Sequence, residues 1–356
     1  MKGEQKKGLS LGYFNLARGL GMFLIILGHT MNLYRMEEKT GIFSGMGSVV
    51  GGGIMAAFFM ISGFGFFRRS FRKCFSIQRK LLLRPYIRVA AAVLVTKLAL
   101  AVVERRSFWK HGGELVFTFL LGLNAEGGGE ILGIPVESVS IFWFVLALFE
   151  GWVLYNGITG LKSQRLQVFC VVCCVAAGYV LTLISHVWPY CLPMGLLAVG
   201  YLAVGDYMRK RNLLQKKISW EAWTAILAVF LITSAFGRVN IVACEWRLGL
   251  LDVAGSFCAG FLILRIYAAF MRREPHGKLT GFLEEVGFHS IWIVCFHAYE
   301  KIIFPWYRVA GLFSGYPWLG VGICFLGRCA VMYLIYKLVF WAAGKLKRKK
   351  LRGAGL

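Results

Sequence analysis

The sequence predicts an all-α protein that crosses a membrane many times, as a bundle of about ten helices. Three observations support this fold class. Hydrophobic residues make up 58% of the 356 residues and charged residues only 16%, against roughly 25% charged residues in a typical soluble domain. Apolar runs reach the roughly 20 residues that a helix needs to cross a bilayer. Positive charge is concentrated in alternate connecting segments.

The apolar runs define the predicted transmembrane helices. The segment LVFTFLLGL at 115–123 is too short to cross, so we expect an interfacial or re-entrant piece beside the glycine-rich NAEGGGEILGIP. The ten predicted spans are 12–34, 47–67, 89–103, 140–158, 166–185, 190–206, 220–237, 247–271, 286–304 and 318–342.

The net charge of +24 is explained by its distribution along the chain. If the N-terminus is cytoplasmic, the predicted cytoplasmic segments hold 27 of the 41 Lys and Arg residues, and the outer segments hold nine. A bias that alternates from loop to loop follows the positive-inside rule. We therefore expect both termini in the cytoplasm and no nucleic-acid partner.

The chain is expected to form a single membrane-embedded domain over 1–356, with short basic tails at 1–8 and 345–356 and no fused soluble domain. Its first apolar run is longer than the h-region of a signal peptide, and no small-x-small cleavage site follows, so we predict a retained helix.

Cysteine spacing indicates neither a disulfide scaffold nor a metal site. Cys170, Cys173 and Cys174 lie in an apolar helix without a second ligand pair, and free cysteine packs as a small hydrophobe. No metal is expected.

Polar groups inside predicted spans are the first functional candidates, because they are expensive in hydrocarbon. In RGLGMFLIILGHT, Arg18 and His29 are eleven residues apart. At about 100° per residue they differ by roughly 20° in azimuth and about 16 Å along the axis, so both leave the same helix face. Either they line a functional interior, or Arg18 snorkels to the interface while His29 bonds a neighbouring helix.

Other polar groups lie within later spans. Glu150 is the carboxylate best placed to face His29 or Arg18, although a helix–helix hydrogen bond of its protonated form is an equal alternative. Glu300 follows His297 at i+3 on the same helix face. Three further cations are expected to snorkel: Lys97, Arg328 and Lys337.

Several stretches carry a family resemblance in order along the chain. They are YFNLARGLGMFLIILGHTMNLY, FFMISGFGFF (58–67) with the basic QRKLLLRPYI (78–87), IFWFVLALF (141–149), LLAVGYLAVGDYMRK (196–210) and VGFHSIWIVCFHAY (286–299). They resemble acyltransferase family 3, integral membrane acyltransferases whose hallmark is an arginine, ten intervening residues and a histidine. His297 matches the family's late histidine. Family members often have an acidic residue three positions before the arginine, where this chain has Asn15.

The resemblance implies an acyltransferase that transfers groups other than aminoacyl groups. The acyl group, most often acetyl, would pass from a cytoplasmic acyl-CoA to a hydroxyl of a cell-surface or lipid-linked glycan. We expect a multi-pass protein of a bacterial plasma membrane, with membrane lipids, acyl-CoA and a glycan as partners.

For this expected activity, the buried polar groups are assigned candidate roles on physical grounds. His29 is the predicted general base, because a neutral imidazole accepts a proton readily at neutral pH. Arg18 is predicted to hold the donor or to orient a carboxylate that tunes His29. Glu150 and His297 complete the candidate catalytic set. Ser62 is expected either to hydrogen-bond across helices or to carry a transient acyl group.

The basic stretch 67–88 is a candidate donor site. Coenzyme A carries several phosphates, and the arginine fork matches phosphate geometry; the alternative is that these cations only set topology. The predicted donor-binding residues are Arg68, Arg69, Arg72, Arg79 and Arg84.

A transporter or flippase of a small anion or lipid-linked sugar is the alternative function. Many transporter folds contain internal repeats with broken helices, and the sequence has no corresponding pair of interrupted segments. The ordered family signatures therefore favour the enzyme.

Overall fold

A computed structural model of the chain describes most of its residues. The described ranges are 11–35, 49–105, 108–124, 129–131, 134–136, 138–241, 245–271 and 277–353. The N-terminal basic tail at 1–8 and the last residues of the C-terminal tail lie outside them, as does the start of the predicted span 47–67.

The described chain is predominantly helical. The α-helices are α1 Asn15–Asn32, α2 Ile54–Phe64, α3 Phe71–Gln78, α4 Arg84–Val103, α5 Phe108–Leu121, α6 Trp143–Ile158, α7 Gln164–Ile184, α8 Leu192–Lys210, α9 Trp220–Phe236, α10 Leu250–Phe270, α11 Lys278–Phe288, α12 Ser290–Ile303, α13 Trp306–Gly311 and α14 Pro317–Gly353. A π-helical turn, Val49–Gly53, precedes α2, and another, Arg79–Leu83, joins α3 to α4.

Two short antiparallel hairpins depart from the all-α prediction. Gly129–Ile131 (β1) pairs with Ile134–Val136 (β2), and Val239–Asn240 (β3) pairs with Glu245–Trp246 (β4). Both connect helices, so they add to the helical bundle without changing its class.

The number of spans differs from the ten predicted. Among the described residues, seven helices are long and apolar enough to cross a membrane, or eight if the bent pair of α11 and α12 counts as one span. Helix α9 has 17 residues, and the apolar helix at α2 covers only Gly51–Phe64. At 1.5 Å per residue these helices fall short of a hydrocarbon core of about 30 Å, so ten full spans are not confirmed.

Two predicted segments are parts of longer helices in the structure. The predicted span 89–103 is the second half of a longer helical region, Phe71–Val103, so the basic stretch is largely helical. The apolar segment 115–123 belongs to the 14-residue α5. Because α5 is too short to cross, it agrees with the expectation of an interfacial or re-entrant piece.

Helix α8 lies at the centre of the bundle and packs against α2, α6 and α7. Glycines make the α2–α8 contact close: Gly63 faces the backbone of Leu202, and Gly205 faces the backbone of Met60. A side chain at either glycine would collide with the opposing helix, as is typical of small-residue packing in membranes.

Helix α1 is held in the same way by α11. Gly19 packs on the carbonyl of Leu283, and Gly287 packs on the carbonyl of Asn15. Immediately after this contact the chain bends by 79° between α11 and α12. The first half of α1 therefore lies against α11, whereas its second half reaches α12 and α14.

The ends of several helices meet at one end of the bundle, which we call the basic end. The Phe14 ring, before α1, lies 4.9 Å from that of Phe64 at the end of α2. The Tyr267 hydroxyl, near the end of α10, donates to the carbonyl of Tyr13 at 2.6 Å. The termini of three helices thus share one side.

The loop after α2 is fixed at the basic end by α6 and α8. The Arg69 N–H donates to the side-chain oxygen of Asn156 at 2.9 Å, and the Asn156 amide donates back to the Arg69 carbonyl at 3.0 Å. Arg209 donates to the carbonyl of Phe66 at 3.0 Å. The loop after α2, which is predicted to be cytoplasmic, therefore lies together with the ends of α6 and α8.

Candidate active site

Two histidines from distant parts of the sequence meet between α1 and α12. The ring centroids of His29 and His297 lie 5.4 Å apart, with the rings tilted by 51°. His297 is fully buried, whereas His29 retains accessible surface. His29 is thus the more accessible of the two imidazoles, and His297 is the more deeply buried one.

His297 is oriented by a carboxylate on its own helix. Its Nδ1 lies 2.9 Å from Glu300 Oε2, and both side chains are 0% exposed. The i+3 spacing predicted this shared face. The other ring nitrogen, Nε2, is buried without a hydrogen-bond partner among the described residues.

Arg328 of α14 completes the cluster. Its Nε donates to Glu300 Oε1 at 2.8 Å, and its Nη2 donates to Oε2 at 3.4 Å. Its Nη1 donates to the Thr30 hydroxyl at 3.3 Å, and that hydroxyl donates to the Ile26 carbonyl at 2.7 Å. We call His29, Thr30, His297, Glu300 and Arg328 the histidine cluster.

The expectation that Arg328 snorkels is wrong. Its side chain is 1% exposed and is among the largest fully buried side chains. An arginine near the middle of an apolar helix lies too deep to reach an interface easily, so it finds partners inside the bundle.

Positive charge and an aromatic ring flank the cluster. The Arg328 guanidinium lies 5.9 Å from the ring centroid of Trp306, and Lys301 is within electrostatic reach of both imidazoles. Fixed positive charge in a poorly solvated site favours negative charge that develops during a reaction.

Arg18 lies outside the histidine cluster. Its Nη1 donates to the Asn15 side-chain oxygen at 3.3 Å, so an amide occupies the place of the acidic residue common in the family. Arg18 and His29 are about 16 Å apart along α1. Arg18 lies toward the basic end, on the half of α1 that packs against α11.

Glu150 was predicted to face His29 or Arg18, and the structure places it elsewhere. Its carboxylate lies against Gly195 of α8, and its Oε2 is buried without a hydrogen-bond partner among the described residues. The carboxylate that contacts the histidine pair is Glu300. Ser62, another candidate, donates to the carbonyl of Phe58 within α2 at 3.1 Å.

The five arginines of the candidate donor site are exposed and lie at or near the basic end. Arg68 lies against Gly160, and the backbone of Arg69 is fixed by Asn156. Together they present a basic surface on an anchored loop and the helices that follow it: Arg68, Arg69, Arg72, Arg79 and Arg84. In the described part of the chain, no group of three His, Cys, Asp or Glu side chains is arranged to hold a metal.

Comparison with protein families shows the class of the chain. The model of acyltransferase family 3, described as an acyltransferase domain, matches residues 11–337. The chain belongs to acyltransferase family 3. Comparisons with curated proteins and with solved structures gave no match.

In this acyltransferase, a multi-pass membrane protein by its apolar helices, sequence reasoning found most of the cluster. Within the cluster, His29 and His297 follow from the family resemblance, and Glu300 follows from its spacing to His297. The roles of Thr30 and Arg328 were missed. The signal for Arg328 was its position near the middle of its apolar run.

Proposed function

We propose that this family 3 acyltransferase is an O-acyltransferase. It transfers an acyl group, in the first instance acetyl, from acyl-CoA to a hydroxyl of a cell-surface or lipid-linked glycan. The observation that carries the proposal is the pairing of His29 with His297, because it places two imidazoles, one of them oriented by a carboxylate, inside an acyltransferase.

The chemistry requires removal of a proton from a poor nucleophile. His29 takes the proton from the acceptor hydroxyl as the C–O bond to the acyl carbon forms. The C–S bond of the thioester then breaks, and the coenzyme A thiolate receives a proton. Acyl-CoA and an alcohol thus give an ester and free coenzyme A, without an oxidant, a reductant or a metal.

Two side chains support His29 in this scheme. His297 lies behind it and can share or pass on the proton. The ammonium of Lys301 favours the oxyanion of the tetrahedral intermediate. Glu150 has no step in this scheme, because it packs against α8.

The donor is proposed to approach from the basic end. The arginines at 68, 69, 72, 79 and 84 bind the phosphates, and Arg18 lies on the way from that end to His29. The pantetheine arm of coenzyme A separates the thioester from the phosphates, which suits a phosphate site remote from the reacting groups.

The orientation follows from the same arrangement. Because acyl-CoA is cytoplasmic, the basic end faces the cytoplasm, in agreement with the positive-inside bias. Both termini would then be cytoplasmic, in a bacterial plasma membrane, and the acceptor would reach His29 from the opposite side.

The test uses membranes that contain the full chain and acetyl-CoA labelled in its acetyl group. Release of free coenzyme A and entry of label into glycan and lipid fractions are measured for the wild type, His29→Ala and His186→Ala at equal expression. His186 is the matched control, since it lies in the 185–188 linker after α7 and outside the histidine cluster.

We expect label in a glycan fraction for the wild type and His186→Ala, and none for His29→Ala. Transfer that survives in His29→Ala would remove His29 as the base. No transfer from acetyl or longer donors, across a broad set of glycan precursors, would favour the transporter instead.

A further inference from the structure

Arg328 is a buried cation in the histidine cluster, and its burial needs an explanation. Moving an isolated cation into a protein interior has a large desolvation cost, and an ion pair offsets it only when its geometry is good and its remaining groups are hydrogen-bonded. Arg328 meets this condition, with two bonds to Glu300 and one to Thr30. One group inside this otherwise bonded network has no described partner: Nε2 of His297.

The arrangement selects one tautomer of His297. The carboxylate of Glu300 can only accept a hydrogen bond while it is ionised. Because its Oε2 lies 2.9 Å from Nδ1 of His297, Nδ1 must carry the hydrogen. Nε2 is then left with its lone pair and is the ring nitrogen able to accept a proton.

Arg328 keeps the carboxylate of Glu300 ionised. Its positive charge balances the carboxylate in a fully buried place. Without this cation, Glu300 would gain a proton, and its hydroxyl could donate to Nδ1 of His297. The tautomer would invert, with the hydrogen on Nε2.

We propose that Arg328 is a positioning residue for the acyl transfer. It acts through Glu300 to hold His297 in the tautomer with hydrogen on Nδ1, and its bond to Thr30 fixes this group to the helix that carries His29. The inference rests on the proposed function for its catalytic consequence only; the tautomer itself is a property of the resting protein.

A role as a simple helix clamp would leave features unexplained. A clamp between α14 and α12 needs the Arg328–Glu300 pair but no histidine on it. A clamp to α1 needs only the bond to Thr30. The positioning role accounts for all of them together, including the open Nε2 of His297.

The first experiment measures the tautomer directly. Nitrogen-15 NMR of the full chain with labelled histidine in lipid nanodiscs reports which ring nitrogen carries hydrogen, and the variant His297→Gln identifies the signals of His297. We expect hydrogen on Nδ1 in the wild type and a shift toward Nε2 in Arg328→Gln. A wild-type His297 with hydrogen on Nε2, or an unchanged tautomer in Arg328→Gln, would overturn the proposal.

The second experiment measures turnover in the acetyl-transfer assay. We expect Arg328→Gln to lower kcat at least about 10-fold with the KM for acetyl-CoA unchanged, since it impairs proton transfer but not donor binding. In a Glu300→Gln background the same change should add nothing, because Arg328 acts through Glu300. Independent losses in the double variant, or a raised KM alone, would contradict the mechanism.

Arg265→Gln is the matched control. Arg265 also lies in a membrane helix, but it donates to the carbonyls of Leu213 and Lys216, so wild-type kcat per folded molecule is expected.

The two proposals fail separately: an inactive wild type with the expected tautomer rejects the acyl transfer, whereas an active wild type with the wrong tautomer rejects the role of Arg328.

Discussion

Two buried carboxylates at different places in the bundle have similar partners and different surroundings. Glu300 bonds Arg328 and His297 inside the histidine cluster. Asp206 of α8, at the basic end, bonds Arg209 at 2.7 Å, Lys210 at 2.6 Å and the Tyr155 hydroxyl at 2.9 Å.

The two clusters differ in exposure and in what they leave open. The side chains of Arg209 and Lys210 are 28% and 58% exposed, and the buried atom there without a partner among the described residues is Arg209 Nε, which can only donate. In the histidine cluster the corresponding atom is His297 Nε2, which can accept a proton. A charge cluster is thus a candidate reaction centre when an acceptor inside it stays open.

After the complete loss expected for His29→Ala, the largest expected effect is that of His297→Gln. Removal of the buried imidazole should lower kcat by about 10²- to 10⁴-fold, the usual contribution of proton transfer, since glutamine cannot take its proton. The measurement is acetyl transfer at saturating donor, with His186→Gln alongside. If His297→Gln keeps the wild-type kcat, the histidine cluster has only a structural role, as the Asp206 cluster does.

A direct comparison of the two carboxylates comes next. Glu300→Gln and Asp206→Asn both weaken buried ion pairs, so both should unfold at lower temperature. The loss for Asp206→Asn is expected to be about 1–2 kcal/mol, because its partners are partly exposed. Per folded molecule, only Glu300→Gln should lower kcat, by at least about 10-fold. Equal kcat values in the two variants would show that the two clusters do not differ in function.

The basic end provides a prediction on donor affinity. Arg72→Gln and Arg79→Gln should each raise the KM for acetyl-CoA about 3- to 10-fold with little change in kcat, because each removes a charge-assisted bond to phosphate. Added salt should raise the wild-type KM as well. Arg238→Gln, near the β3–β4 hairpin, is the control. Unchanged KM across all five basic-end arginines would leave them a role in topology alone.

The smallest effect concerns Thr30. Its hydroxyl accepts a long bond of 3.3 Å from Arg328, so Thr30→Val should lower kcat about 2- to 5-fold, in line with about 0.5–1 kcal/mol for one hydrogen bond. Thr30→Ser keeps the hydroxyl and should retain wild-type kcat. If serine and valine behave alike, the methyl packing of Thr30 matters and its bond to Arg328 does not.

How far the sequence predicts this site depends on whether a contact is local. Arg18, His29 and the Glu300–His297 spacing follow from one-helix geometry and the family motif. The bond from Thr30 to Arg328 joins residues 298 positions apart, and no periodicity reports which helices become neighbours. Glu150 shows the same limit. Its position in a predicted span did not indicate which helix it faces, and in the structure that helix is α8.

The fold was predictable in class and less so in detail. Hydropathy identifies apolar helices, but it does not decide whether a short one crosses fully: the predicted span 220–237 has almost the same bounds as the 17-residue α9. Specific bonds, such as those of Asn156 and Arg209, bring several of the segments that the charge bias groups to the basic end. The side of the membrane that this end faces stays a prediction.

His29 and Thr30 are adjacent in sequence and contact different helices, α12 and α14. The first half of α1 is fixed separately, through Gly19 on α11. One residue inserted between Gly19 and His29 would turn the second half by about 100° and carry both side chains away from their partners. Insertions and deletions should therefore be much rarer in this stretch of α1 than substitutions, and the eleven-residue interval from Arg18 to His29 becomes a fixed length in evolution.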